Sequence, residues 1–439
     1  MQRILVPART ILGHRGFVVL LVCNLLVGLA FSFVAPFFSM FGTLEVGMGP
    51  FAFGLFMTAS SLSGIALSTL LARWSDTWLS RRTVLLLGGV TGVLSYLGYA
   101  YVRNVAWLTV IACLFGGISS ITFSQLFAHA RDLLTRSAIP PREAPLYMNV
   151  FRLFFAVSWT AGPAVAAWVM LRYQYRGMFL VAALCFLLFV LILLALVPPG
   201  PPRLGVAAAV RVPLRQALGR GEIVAYFVGF ALLFASSTMG IMNLPLLVLT
   251  ALGGNGRQVG IIYSVSPAFE IPFMVYFGLL ATKADQARLI RLAVALAVVY
   301  YALLALVRAP WQVYPLQILS AAITAVVGGI AITFFQNFMP DQPGTATNLY
   351  SSAGRIGSTV GYLMFGTLAA VLGHRAVFVA CATLCSVALV ILLAARERPQ
   401  PVGGAVAPAP PRNAPFAACP APQIDSLFAG TPCRIPRTP

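Results

Sequence analysis

The chain has 439 residues, 60% of them hydrophobic and only 9% charged, with a mean hydropathy of +0.91. A water-soluble domain carries about 25% charged residues, so this composition excludes one and makes lipid the solvent of most of the surface. A formal charge of +19 would suit a nucleic-acid partner in a soluble protein, but these cations sit in the connections between apolar runs, which is a topological pattern and leaves no nucleic-acid partner expected.

Spanning a bilayer takes about 20 apolar residues per helix. Twelve such runs follow one another at 17–39, 51–72, 83–102, 106–127, 146–171 and 177–197, then 223–250, 258–281, 289–307, 311–335, 345–372 and 376–395. They are continuous, whereas barrel strands alternate polar and apolar residues over about ten positions, so an all-α membrane protein with 12 transmembrane helices is predicted. The first run follows a basic segment as a signal peptide does, but it is too long and lacks a small-residue cleavage site, so it is read as a helix.

The N-terminal segment, alternate connections and the C-terminal segment carry 21 Lys and Arg, against six (Arg103, Arg172, Arg176, Arg257, Arg308, Arg375) in the opposite connections. The positive-inside rule then places both termini in the cytoplasm. Pro198-Pro199-Gly200-Pro201-Pro202 divides the runs evenly. The expected organisation is an N-terminal six-helix bundle over 1–197, a cytoplasmic linker over 198–222 and a C-terminal six-helix bundle over 223–395. Residues 396–439, rich in Pro, Ala and Gly, are expected to be a disordered cytoplasmic tail.

The two halves echo each other. Val102-Arg103 with Trp107 returns as Val307-Arg308 with Trp311, and Arg176 with Phe179 returns 199 residues on as Arg375 with Phe378. Met148-Asn149-Val150-Phe151 likewise resembles Thr347-Asn348-Leu349-Tyr350. A parallel repeat of this kind is the layout of two-bundle carriers with a site between the bundles.

Three charges lie deep in the runs: Arg152, Glu270 and Arg355. Glu270 sits in Ser266-Pro267-Ala268-Phe269-Glu270-Ile271-Pro272. A carboxylate at the bilayer centre costs at least about 2.5 kcal/mol, so it must be paired, protonated or facing a water-filled cavity. The flanking prolines break the helix, which is tolerated only beside protein or a cavity. Burial disfavours the charged carboxylate and a nearby arginine favours it, so an arginine that moves would make Glu270 a proton carrier, with Arg152 or Arg355 as partner. A static Glu270–Arg355 pair is the structural alternative.

The amides Asn24, Gln125, Asn149, Asn243, Gln317 and Asn348, with the rings of Trp159, Tyr263 and Tyr350, suit a sugar, whose hydroxyls need donors and acceptors and whose C–H face packs on an aromatic ring. Each amide could instead be an interhelical hydrogen bond. Of seven cysteines, none has metal-ligand spacing. No nucleophile with a paired base or phosphate loop appears, and His14, His129 and His374 are scattered. No metal, cofactor or enzymatic activity is therefore expected.

The connection Ala72-Arg73-Trp74-Ser75-Asp76-Thr77-Trp78-Leu79-Ser80-Arg81-Arg82 resembles the loop signature of the major facilitator superfamily. Further segments resemble its bacterial sugar efflux transporter family: Gln125-Leu126-Phe127-Ala128, Arg152 followed by Trp159 and Gly162-Pro163, Glu270-Ile271-Pro272, and Phe335-Gln336 with Met339-Pro340. The resemblance implies a major facilitator fold in a bacterial inner membrane that exports a sugar or glycoside by proton antiport with alternating access, and a monomer is expected. It also implies that Asp76, Arg81 and Arg82 latch one conformation. A proton-coupled multidrug exporter and a non-transporting membrane receptor are the rival expectations.

Overall fold

A computed structural model describes residues 15–77, 80–136, 144–198, 221–338 and 343–395. These belong to one compact unit, Met1–Arg396. Almost all of the expected linker, and the whole expected tail, lie outside the described residues.

The described residues form helices and no strands. Ten helical spans are long and apolar enough to cross a membrane: α1 Gly16–Glu45, α2 Pro50–Leu71, α3 Arg81–Tyr101, α4 Val105–Thr135, α5 Val150–Leu196, α6 Gly221–Ala251, α7 Gly256–Leu280, α8 Gln286–Leu306, α9 Pro310–Phe338 and α10 Ala346–Ala394. Four of them start at polar caps. Ser80 accepts from the Thr83 N–H, Asn104 from Ala106 and Trp107, Asp285 from Ala287, and Asn255 with Gln258 forms a reciprocal capping box. These caps satisfy backbone donors that lipid cannot satisfy. Large apolar side chains such as Leu62, Trp168, Val275, Leu306 and Val371 remain exposed, as expected where the surrounding solvent is hydrocarbon.

Spans α5 and α10, at 47 and 49 residues, would each be about 70 Å long as straight helices at 1.5 Å per residue. Each is broken into two limbs instead. Gln174 (φ 58°, ψ −169°) interrupts α5 and Gly373 (φ 80°, ψ 173°) interrupts α10. The two breaks are 199 residues apart, the same spacing that relates Arg176 to Arg375. The two arginines also do related work. Arg176 stacks on Tyr101 at the end of α3, and Arg375 donates to the carbonyls of Ala305 and Val307 at the end of α8.

The repeat extends to the packing. Gly162 of α5 lies against Ser32 of α1, and Gly361 of α10 lies against Ala235 and Thr238 of α6. Between the halves, two crossings bring backbones together. A Cβ on Gly54 of α2 would stand 2.7 Å from the Gly366 Cα of α10, and one on Gly260 of α7 would stand 2.6 Å from the Pro163 carbonyl of α5. Only glycine permits such approaches. Both crossings lie toward the end of the molecule that carries Gly47, Gln174, Gly253 and Gly373. At the second one, the Ala164 N–H donates to Ser264 Oγ across the halves at 3.1 Å.

Candidate functional site

Two cavities lie among the helices where the halves meet. The first, about 610 Å³, is bordered by α4 to α10 and lined by Arg152, Phe155, Trp159, Tyr263, Glu270, Tyr300, Tyr301, Gln317 and Tyr350, among others. The second, about 660 Å³, is bordered by α1 to α4, α6 and α10 and lined by Arg355 with a set of serines. Phe123 borders both.

The cavities are mates under the repeat. Phe31, Val34, Ala35 and Phe38 line the second, and Ser237, Gly240, Ile241 and Leu244, each 206 residues on, line the first. Met57, Ser60, Gly64 and Ser68 correspond in the same way to Tyr263, Ser266, Glu270 and Met274. On the broken helices the spacing is 199: Arg152, Ala156 and Trp159 answer to Ser351, Arg355 and Ser358. The duplicated frame therefore carries different chemistry on its two sides. The first cavity is aromatic with both signs of charge, and the second is rich in hydroxyls with a cation.

In the first cavity, Pro267 and Pro272 of α7 flank Glu270 and each withhold an N–H from the helix ladder. Tyr263 Oη donates to the Ile241 carbonyl at 2.6 Å and Tyr350 Oη to the Val327 carbonyl at 2.7 Å, which holds both rings at the wall. Gln317 Nε2 reaches Tyr300 Oη at 3.4 Å. Glu270 forms no ion pair with Arg152 or Arg355. The Trp159 indole N–H is buried with no hydrogen-bond partner among the described residues. The cavity thus offers a carboxylate and a guanidinium with no ion pair among the described residues, and several ring faces.

Of the residues singled out from the sequence, Arg152, Trp159, Tyr263, Glu270 and Gln317 are brought together here. Arg355 lines the second cavity instead. Three amides are engaged elsewhere: Asn24 Nδ2 donates to the Phe151 carbonyl at 2.6 Å, Gln125 Oε1 accepts from Arg81 at 3.0 Å, and Asn243 holds both the carbonyl and the ring of His374. Asn348 is exposed and lines neither cavity. The side chains of Asn149 and Asp76 lie outside the described residues. Of the other expected latch residues, Arg81 pairs with Asp132 of α4, and Arg82 donates to the carbonyls of Leu193 and Leu194. Sequence reading missed Tyr300, Tyr301 and Ser237, and the lining of the serine-rich cavity apart from Arg355. The available signal was Ser351, Arg355 and Ser358, whose spacing of four and three puts them on one helix face.

The sequence matches the Major Facilitator Superfamily over residues 20–361. A candidate sugar efflux transporter of Deinococcus radiodurans is 36% identical over 383 residues, covering 86% of this chain and 97% of the relative. Sugar efflux transporter A of Dickeya chrysanthemi is 31% identical, covering 86% and 95%. Among solved structures, the nucleoside transporter NupG is similar with a TM-score of 0.73 at 12% identity over 86% of this chain and 98% of that one, which is a likeness of fold. The chain belongs to the major facilitator superfamily and, within it, to the sugar efflux transporter family.

Proposed function

We propose that this protein is a secondary transporter that exports a sugar or glycoside across a bacterial inner membrane by proton antiport and alternating access. Counting each limb of α5 and α10 as a span gives twelve helices in two six-helix bundles, with both termini cytoplasmic by the placement of basic residues. The observation that carries the reading is Glu270 facing the same cavity as Arg152 and the aromatic wall, neither charge ion-paired among the described residues. Proton uptake on Glu270 changes its attraction for the guanidinium, and a solute hydroxyl competes for the same donor. Trp159 and Tyr263 supply faces for a sugar ring, and Gln317 supplies an amide near one edge.

The crossings at Gly54–Gly366 and Gly260–Pro163 support closure at the non-cytoplasmic end, so this conformation reads as inward-open. Rocking of the bundles about these crossings would expose the cavity to the other side. The relatives' printed names support the sugar and the direction, and the bacterial relatives support the inner membrane.

The test is flux in proteoliposomes across a panel of labelled sugars, with and without an imposed pH gradient. Wild type should accumulate sugar in response to the gradient. Glu270→Gln should lose accumulation yet keep sugar exchange, since the amide preserves shape but carries no exchangeable charge. If folded wild type moves no sugar but moves bulky hydrophobic cations, the multidrug reading replaces this one.

A further inference from the structure

We infer that the serine-lined cavity is a subsite for an anionic group, a carboxylate or phosphate, on the transported solute, with Arg355 and Ser358 as its donors. Arg355 lines a cavity of about 660 Å³ that no Asp or Glu among the described residues lines. The carboxylates whose side chains are described are placed elsewhere. Glu45 pairs with Arg103, Asp132 with Arg81 and Asp285 with Arg288, Glu222 lies in the first turn of α6, and Glu270 faces the other cavity. Arg355 itself has no ion pair among the described residues. A guanidinium within the membrane without a counter-charge raises the local potential of its cavity and favours an anion there. Its planar fork matches a carboxylate or phosphate in two parallel hydrogen bonds.

A second donor stands one helical turn away. Ser358 Oγ accepts from Thr238 Oγ1 at 3.0 Å, so its own hydroxyl hydrogen is free to donate. At three positions after Arg355 it shares that residue's face of α10, and both line the cavity. Other hydroxyls in the wall are differently poised. Those of Ser68, Ser120, Ser124 and Ser351 donate to carbonyls of their own helices and turn lone pairs outward, which suits solute hydroxyls as donors. Arg355 and Ser358 thus stand as adjacent donors for a negative group beside acceptors for a polyol. Under the repeat, Ser358 answers to Trp159 and Arg355 to Ala156, one turn from Arg152. The duplicated frame thus offers each cavity one arginine from the opposite half, and only the first also holds a carboxylate.

This assignment rests on the sugar reading for the solute's hydroxyls but not for its charge. The full-length protein in nanodiscs is titrated calorimetrically with D-glucuronate, D-glucose 6-phosphate, methyl β-D-glucoside, and the hydroxyl-free anions acetate and phosphate. The two acidic sugars separate carboxylate from phosphate. The expected result is that at least one acidic sugar binds about ten- to a hundredfold tighter than the neutral glucoside, the range of a charge-assisted hydrogen bond. Arg355→Gln should abolish that preference, and Arg355→Lys should retain part of it, because charge survives and the fork does not. Each variant is compared only if its size-exclusion profile and thermal unfolding match wild type.

Neutral glucoside binding as tightly as both acidic sugars, or a preference that survives Arg355→Gln, overturns the subsite and leaves the sugar reading standing. Arg355-dependent binding of acetate or phosphate with no sugar binding keeps the subsite and removes the sugar reading. Absence of all binding removes both.

Discussion

Gly366→Ala is expected to shift this transporter between conformations without unfolding it. The added Cβ would stand 2.8 Å from both the Gly54 Cα and the Pro50 carbonyl oxygen. Both obstacles are backbone atoms of α2, so no side chain can swing aside, and the helices must separate. Overpacking of this kind costs about 1–3 kcal/mol. The penalty falls only on the conformation in which α2 and α10 cross at this end. With a tenfold change in equilibrium for about 1.4 kcal/mol, the balance moves about 5- to 150-fold toward the state open at that end. Ser61 Oγ and Thr359 Oγ1, 2.8 Å apart across the same pair of helices, provide the reporter. In a background with the seven native cysteines replaced by alanine, Ser61→Cys is labelled in intact cells with a membrane-impermeant maleimide. Labelling should rise sharply when Gly366→Ala is added. Adding Gly54→Ala should change little more, since both substitutions crowd the same crossing and one separation of the helices relieves both. Unchanged labelling in a protein that folds normally would refute a state-specific crossing.

Gln174 occupies a backbone region that is essentially glycine's, at a cost of about 1–3 kcal/mol. Gln174→Gly should therefore raise the thermal unfolding midpoint in detergent, net of roughly 0.5–1 kcal/mol lost to glycine's freedom, whereas Gly373→Gln at the repeat mate should lower it. Trp159→Phe keeps an aromatic face and removes a buried, unpartnered N–H. It should leave stability equal or slightly higher and sugar binding within about threefold of wild type, since the ring face is kept and the buried N–H does not face the cavity; a larger loss of binding would show that the N–H reaches the solute.

Much of the architecture was legible in the chain because lipid leaves the backbone so few options. An apolar run of about twenty residues must satisfy its own hydrogen bonds, and only a helix does so locally. The even division at Pro198–Pro202 and the 199-residue echo of Arg176 in Arg375 also pointed to a duplicated layout. Glu270 stood out because an ionisable group between two prolines inside a span is expensive to keep.

What the sequence could not decide was rotation about each helix axis and the spacing of helices in space. Asn24, Asn243 and Gln317 are equally polar residues in equally apolar runs, yet two bond to neighbouring backbone and one faces the cavity. Arg152 and Arg355 read alike as buried cations, yet they line different cavities. The 206-residue register that relates Gly64 to Glu270 leaves almost no residue identity behind. It became visible only when both positions were found lining repeat-related walls. Hydropathy reports the transfer of a whole segment into lipid, a sum insensitive to direction. Which side of that segment meets a solute is settled by packing, through close approaches such as Gly54 on Gly366 that no local pattern encodes.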